Sequence, residues 1–177
     1  SPPAVGMEET ISSKTLHEGK FSFKLDQVKL ENGKEIERQV VDHPGAVAIV
    51  AVHEGDMVLI NQYRYATKSE ILEIPAGTLE VGEDPYACAV RELQEETGYA
   101  ASDWKKLLSA YVAPGYSNEL IHIYVAEGLT EVGSAPEEDE SIKVEKYPIE
   151  RVLEMIESNR IIDAKTITGV LAYLTNY

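Results

Sequence analysis

Glu92, Glu95 and Glu96 stand in one short stretch, after an Asp84-Pro85 pair and before Gly98. Asp favours the N-cap position, Pro the first helical position and Gly the position that ends a helix, so the spacing predicts a helix from Pro85 to Gly98. With 3.6 residues per turn, Glu92 and Glu96 share one face and Glu95 lies beside them. The same count puts Tyr86, Val90 and Leu93 on the far side, facing a core. Like charges at helical spacing cost about 0.2–0.5 kcal/mol per pair. A hard divalent cation such as Mg²⁺ takes oxygen ligands and would turn that repulsion into attraction. It would also neutralise charge on a phosphate substrate. From three glutamates alone, a solvated acidic helix face is the simpler reading.

The wider pattern is more specific. Gly77 is followed after five residues by Glu83, and seven residues later come Arg91-Glu92-Leu93, then Glu95-Glu96 and Gly98. This segment resembles the Nudix box and matches it at every fixed position. Tyr99 is the one departure, since the family usually carries an aliphatic residue there. The resemblance implies a Nudix hydrolase of α+β class: a mixed β-sheet sandwiched between helices, with an N-terminal β-hairpin. It implies Glu92 and Glu96 as the main metal ligands, Glu95 as an additional one and the Ala76 carbonyl as another. It further implies that Glu83 pairs with Arg91, orienting the loop against the helix. The expected cofactor is Mg²⁺, with Mn²⁺ able to substitute.

Other segments are similar to the ADP-ribose pyrophosphatase branch. Leu72-Glu73-Ile74-Pro75-Ala76-Gly77 leads into the box, and Pro114, in Ala113 to Glu119, stands 16 residues after Gly98. Gly19 to Phe23 and Glu37 to Val41 resemble the N-terminal hairpin of that branch. The implied reaction is Mg²⁺-dependent hydrolysis of ADP-ribose to AMP and ribose 5-phosphate. Two alternatives stay open: another nucleoside diphosphate sugar as substrate, or a Nudix-fold binding module without turnover. Arg64 and Arg38 suit a diphosphate because guanidinium groups donate in planar pairs; surface salt bridges are the competing reading. Phe21 suits stacking on adenine, or a core position in a strand. Glu73, Gly115 and Glu119 join this substrate-binding set through the same resemblance. The catalytic base is expected from the acidic run before Ser141, with Glu140 first and Glu138 in reserve. In this branch the hairpin is exchanged between subunits, which implies a homodimer.

The elements that must position these residues are also legible. Phe21 to Asp26 alternates apolar and polar, Asn32-Gly33 signals a tight turn, and Glu35 to Val41 reads as the returning strand. Ala46 to Val52 is a continuous apolar run, hence a buried central strand. Strands are expected at Met57 to Ile60, Ile71 to Ile74, Lys106 to Val112, Leu120 to Ala126 and Ser141 to Tyr147. Helices are expected at Pro148 to Ser158 and Asp163 to Leu174, and an exposed loop at Gly128 to Glu140. The expected organisation is an N-terminal segment over 1–18, a hairpin region over 19–44 in a dimer interface, and the hydrolase domain over 45–177. Within the first of these, residues 1–6 precede Met7 and read as a cloning remnant.

Of the 177 residues, 44% are apolar and 27% charged, an ordinary globular composition that excludes a wholly disordered chain. Sixteen Lys and Arg against 31 Asp and Glu give a net charge of -15, which disfavours nucleic acid and anionic membranes as partners. One cysteine, Cys88, allows no internal disulfide and fits a reducing, cytoplasmic setting. The expected partners are therefore a small nucleoside diphosphate and a second copy of the chain.

Overall fold

The computed structural model describes residues 7–133 and 141–177. They fall into two compact units, residues 7–45 with 111–120, and residues 46–110 with 121–133 and 141–177.

The larger unit is organised around β4 (Ala46–His53). Its run of small and β-branched residues is buried on both faces, as a central strand must be. Ala46, Ala48 and Val50 enter one core, whereas Val47, Ile49 and Ala51 enter the other. β4 pairs in parallel with β9 (Leu120–Glu131) and antiparallel with β5 (Asp56–Arg64). β8 (Tyr99–Tyr111) and β10 (Ile142–Pro148) extend the sheet to the order β10-β5-β4-β9-β8. β6 (Ser69–Glu73) pairs with β5, and the short β7 (Ala76–Thr78) pairs with β4.

Helix α1 (Pro85–Thr97) closes one core through Cys88, Ala89 and Leu93. Helices α2 (Ile149–Glu157) and α3 (Ala164–Asn176) close the other through Val152, Met155, Val170 and Tyr173. A mixed sheet sandwiched between helices is the result. Gly169 lets α3 lie close to the sheet, since a Cβ there would stand 3.1 Å from both Ile74 and Val50.

Several boundaries differ from the sequence expectation. On α1 Leu93 is buried as expected, but Tyr86 is 47% exposed and packs edge-on against Trp104. Thr97 is buried in addition. β8 starts at Tyr99, directly after the helix, because Tyr99 is itself a core residue. β9 continues to Glu131, since Leu129 still reaches the core, so the expected loop does not begin at Gly128. β7 is too short to show alternation and was not anticipated.

In the smaller unit β1 (Glu9–His17), β2 (Ser22–Lys29) and β3 (Glu35–Asp42) form an antiparallel sheet in that order. The β2–β3 hairpin and its Asn32-Gly33 turn match the sequence reading. β1 does not, for its residues are mostly polar and all nine are exposed. The Pro114 loop is tied to the end of β3. Val41 N donates to Tyr116 O at 2.8 Å, Ser117 Oγ donates to Val41 O at 2.9 Å, and Asn118 Oδ1 accepts from His43 N at 2.8 Å. Among the described residues, no helix is long and apolar enough to cross a membrane.

Candidate active site

The ends of α1 are set by local chemistry. Asp84 accepts a hydrogen bond from Ala87 N at 3.0 Å, and Gly98 takes φ 77°, a left-handed conformation that costs glycine nothing. Between these ends Arg91 acts as a hub. Its Nε and Nη2 donate to the two oxygens of Glu83 at 3.1 and 3.0 Å. Its Nη1 donates to Glu92 at 3.0 Å and Glu95 at 3.2 Å. The Glu83–Arg91 pair is the one expected from the sequence; the reach to Glu92 and Glu95 is additional. Hydrogen bonding to Arg91 holds the Glu83 carboxyl below the usual range, and bonding to Glu83 raises the affinity of Arg91 for its proton. Burial pushes the neighbouring Cys88 thiol up to about 12, so it stays protonated and inert.

Glu92 lies directly against Gly77. A Cβ at residue 77 would sit 2.2 Å from Glu92 Cδ and 2.5 Å from Oε1, so only glycine leaves room for this carboxylate. Gly77 follows Ala76 at the start of β7, which brings the backbone before the box and the acidic face of α1 together. Glu96 is partly buried and its Oε2 is shielded from solvent.

Among the described residues, no three His, Cys, Asp or Glu side chains converge as a ready-made metal cage. The Arg91 guanidinium instead supplies the positive charge among Glu83, Glu92 and Glu95. The donors available are all hard oxygens, and the glycine cradle keeps Glu92 against the Ala76–Gly77 backbone. Both features fit a hard divalent cation.

A second cluster lies where β5, β6 and α3 meet. Glu73, only 1% exposed, accepts from Arg64 Nε and Nη2 at 2.8 Å each and also from Lys165. Burial alone would raise the Glu73 carboxyl; the bonds from Arg64 and the charge of Lys165 outweigh it, and the group titrates below its ordinary value. Bonding to Glu73 likewise raises the proton affinity of Arg64, to which the nearby charge of Glu96 contributes. Lys165 also pairs with Asp163 at 3.0 Å. Thr166 donates to Asp163 Oδ2 at 2.6 Å and accepts from Ile74 N at 3.0 Å, two residues before Ala76. Sequence reasoning missed Lys165 and Thr166. Asp163 was visible only as a helix start.

The remaining candidates fall in the smaller unit. Arg38 pairs with Glu8. Phe21, 39% exposed, stacks on His43 with ring centroids 5.5 Å apart. Glu119 lies 3.3 Å from His43 Nε2. Gly115 sits on the exposed Pro114 loop, with nothing within 4 Å of where a Cβ would project. Glu138 and Glu140 lie outside the described residues.

Comparison with known proteins follows the same lines. The chain is 41% identical to the ADP-ribose pyrophosphatase of Bacillus subtilis, over 90% of this chain and 88% of that protein. It is also 41% identical to the methanol dehydrogenase activator of Bacillus methanolicus, over 92% of this chain and 90% of that protein. A solved ADP compounds hydrolase superimposes with a TM-score of 0.85 at 22% identity, covering 98% of this chain and 96% of its own, which speaks for the fold. Residues 41–168 match the NUDIX domain, and they contain both the glycine cradle and the Arg91 hub, so the chain belongs to the Nudix family.

Proposed function

We propose that this chain hydrolyses the diphosphate of ADP-ribose to AMP and ribose 5-phosphate. The observation that carries the reading is the packing of Glu92 against Gly77, with Arg91 bridging Glu83, Glu92 and Glu95. It gathers the acidic face of α1 at the backbone that leads into the box. The similarity to the Bacillus subtilis ADP-ribose pyrophosphatase supports the substrate.

Glu92 and Glu96, with Glu95 and the Ala76 carbonyl, would hold the divalent cation, Mg²⁺ or Mn²⁺. When bound, that cation offsets phosphate charge and acidifies water. Arg91 and Glu83 keep the loop fixed on the helix. Arg64 donates to phosphate oxygens through the edge that Glu73 does not occupy, and Arg38 is a second phosphate donor. Phe21 stacks on adenine, and Gly115 and Glu119 contribute from the Pro114 loop. Glu140, or Glu138, accepts the proton of the attacking water. The assembly is a homodimer in which the hairpin region contributes to the interface, and the setting is the cytoplasm.

The test is a comparison of kcat/KM for ADP-ribose, GDP-mannose and nucleoside triphosphates with Mg²⁺, reading released AMP and phosphate esters. ADP-ribose is expected to give the highest value, and a higher value for any triphosphate overturns the substrate assignment. The Bacillus methanolicus relative favours a second reading, action on a partner enzyme. In that case the chain would turn over none of these nucleotides yet alter the rate of a dehydrogenase.

A further inference from the structure

Lys106 and Ser109 of β8 meet His122 of the neighbouring strand β9. Ser109 Oγ lies 2.8 Å and Lys106 Nζ 3.3 Å from His122 Nδ1. We propose that these three side chains form a binding site for a phosphate group, separate from the Arg91 and Arg64 clusters. The site lies outside the proposed reaction and does not depend on it.

Hydrogen-bond supply points to an acceptor-rich guest. An ammonium group only donates, so the Lys106 contact makes His122 Nδ1 an acceptor and leaves the ring proton on Nε2. Nδ1 has a single lone pair, and both Lys106 and the Ser109 hydroxyl compete for it. Lysine carries three N–H groups, serine one O–H and a neutral imidazole one N–H. Against these donors the three side chains themselves offer only Nδ1 and the Ser109 oxygen. Among the described residues, His122 Nε2 has no partner and Lys106 has no carboxylate. Donors thus outnumber acceptors, and a tetrahedral oxyanion presents several acceptor oxygens at once. A halide has no separate oxygens to share among the three side chains.

Charge points the same way. Arg64, Arg91, Arg151 and Lys165 of the larger unit each pair with carboxylates. Lys106 does not. Burial first and the charge of Lys106 second hold His122 below its ordinary value, so its ring is neutral at pH 7. No carboxylate of the described residues counters that pull, in a chain whose net charge is -15. The charge nearest to the ring is therefore a cation left without its counter-ion.

The sheet keeps this site beside the motif without overlap. His122 pairs with Val47 of β4, and Gly77 of β7 pairs with Val47 from the other edge. Neighbouring strands lie about 4.8 Å apart, so about 10 Å of sheet separates His122 from Gly77. Val47 packs under α1, and residues paired across strands share a face, so His122 stands on the α1 side of the sheet. A phosphate group can reach it as the free ion or as the end of a monoester such as AMP.

Titration of isotope-labelled protein with inorganic phosphate, followed through amide resonances in the presence of chelator, tests this. No turnover is needed, so the result stands whether or not the chain hydrolyses ADP-ribose. Wild-type amides around Lys106, Ser109 and His122 are expected to shift along a saturable curve, and chloride at matched ionic strength is expected to leave them in place. Lys106 and Ser109 are exposed, so replacing them leaves the core intact. Lys106→Gln should weaken phosphate about tenfold or more, the cost of a hydrogen bond from a charged donor. Ser109→Ala should weaken it about threefold, as for a neutral donor, and Lys106→Arg should retain most of the affinity. A wild-type titration that does not saturate, matching shifts with chloride, or an unchanged dissociation constant in Lys106→Gln overturns the site. AMP separates the two sources. Tighter binding than inorganic phosphate, lost in Lys106→Gln, assigns a monoester, whereas weaker binding assigns the free ion.

Discussion

Arg91 and Arg64 each grip a carboxylate through Nε and Nη2, yet the two clusters are built with opposite stoichiometry. At Arg91 one cation serves three carboxylates, Glu83, Glu92 and Glu95. At Glu73 one buried carboxylate serves two cations, Arg64 and Lys165. The first arrangement leaves negative charge over, on a half-exposed helix face, as the proposed cation site requires. The second, with Asp163 on Lys165 as a further partner, balances its charges and locks two strands to a helix. On the proposed function, the uncompensated cluster is the one that would meet a cation, and the compensated one fixes Arg64 in place.

The largest expected effect breaks the first cluster. Chelation of divalent cations should abolish hydrolysis, and added Mg²⁺ or Mn²⁺ should restore it. Gly77→Ala should reduce kcat by about 100-fold or more, because a Cβ at 2.2 Å must push the Glu92 carboxylate aside, and misplaced catalytic groups cost on that scale. Since the clash is with the end of a flexible side chain, the thermal midpoint should move little. A variant with near wild-type turnover would show that Glu92 need not lie there.

Glu73→Gln breaks the second cluster and should show the converse. It should destabilise the fold by about 2–3 kcal/mol at neutral pH, since a buried, doubly paired carboxylate is lost. Chemical unfolding measures this. The carboxyl is held below its ordinary value near 4.5, so its contribution is present above that pH and is lost as pH falls through the lower folded-state value. The difference between wild type and variant should therefore shrink in acid. A constant difference from pH 7 to pH 3 would remove ionic pairing as its cause.

The smallest effect sharpens the contrast. The Glu95 side chain is 51% exposed, and its bond to Arg91 is a surface pair. Glu95→Gln should change stability by no more than about 0.5 kcal/mol. A larger loss would mean that the Arg91 cluster is structural after all.

How much of this the sequence disclosed follows from the kind of signal each part leaves. The box was legible because its residue types are unusual at fixed spacing: a glycine that makes room for Glu92, a glycine in the left-handed conformation, an arginine and four glutamates. The central strand and α1 were legible from an unbroken apolar run and from paired caps. The reach of Arg91 to Glu92 and Glu95 depends on side-chain rotamers, which spacing does not encode. Lys165 and Thr166 are common residue types, 92 positions from their partners in β6 and the turn after it, and left no local trace. β1 stayed hidden because nothing in it alternates: a polar strand that buries no side chain has no hydrophobic period to read.

The bond from Ile74 N to Thr166 Oγ1 also bears on the birth of the protein. A ribosome adds about 5–20 residues per second, so the segment entering the box waits roughly 5–20 s for the residue that pins it. Until then the acidic motif is already outside the exit tunnel, with its leading backbone untied. A nascent chain held with Thr166 still inside the tunnel should be cut by protease near Pro75, and one tethered through a linker that carries Thr166 clear of it should resist. The order of synthesis thus makes the finished geometry of an earlier motif depend on a helix made 92 residues later.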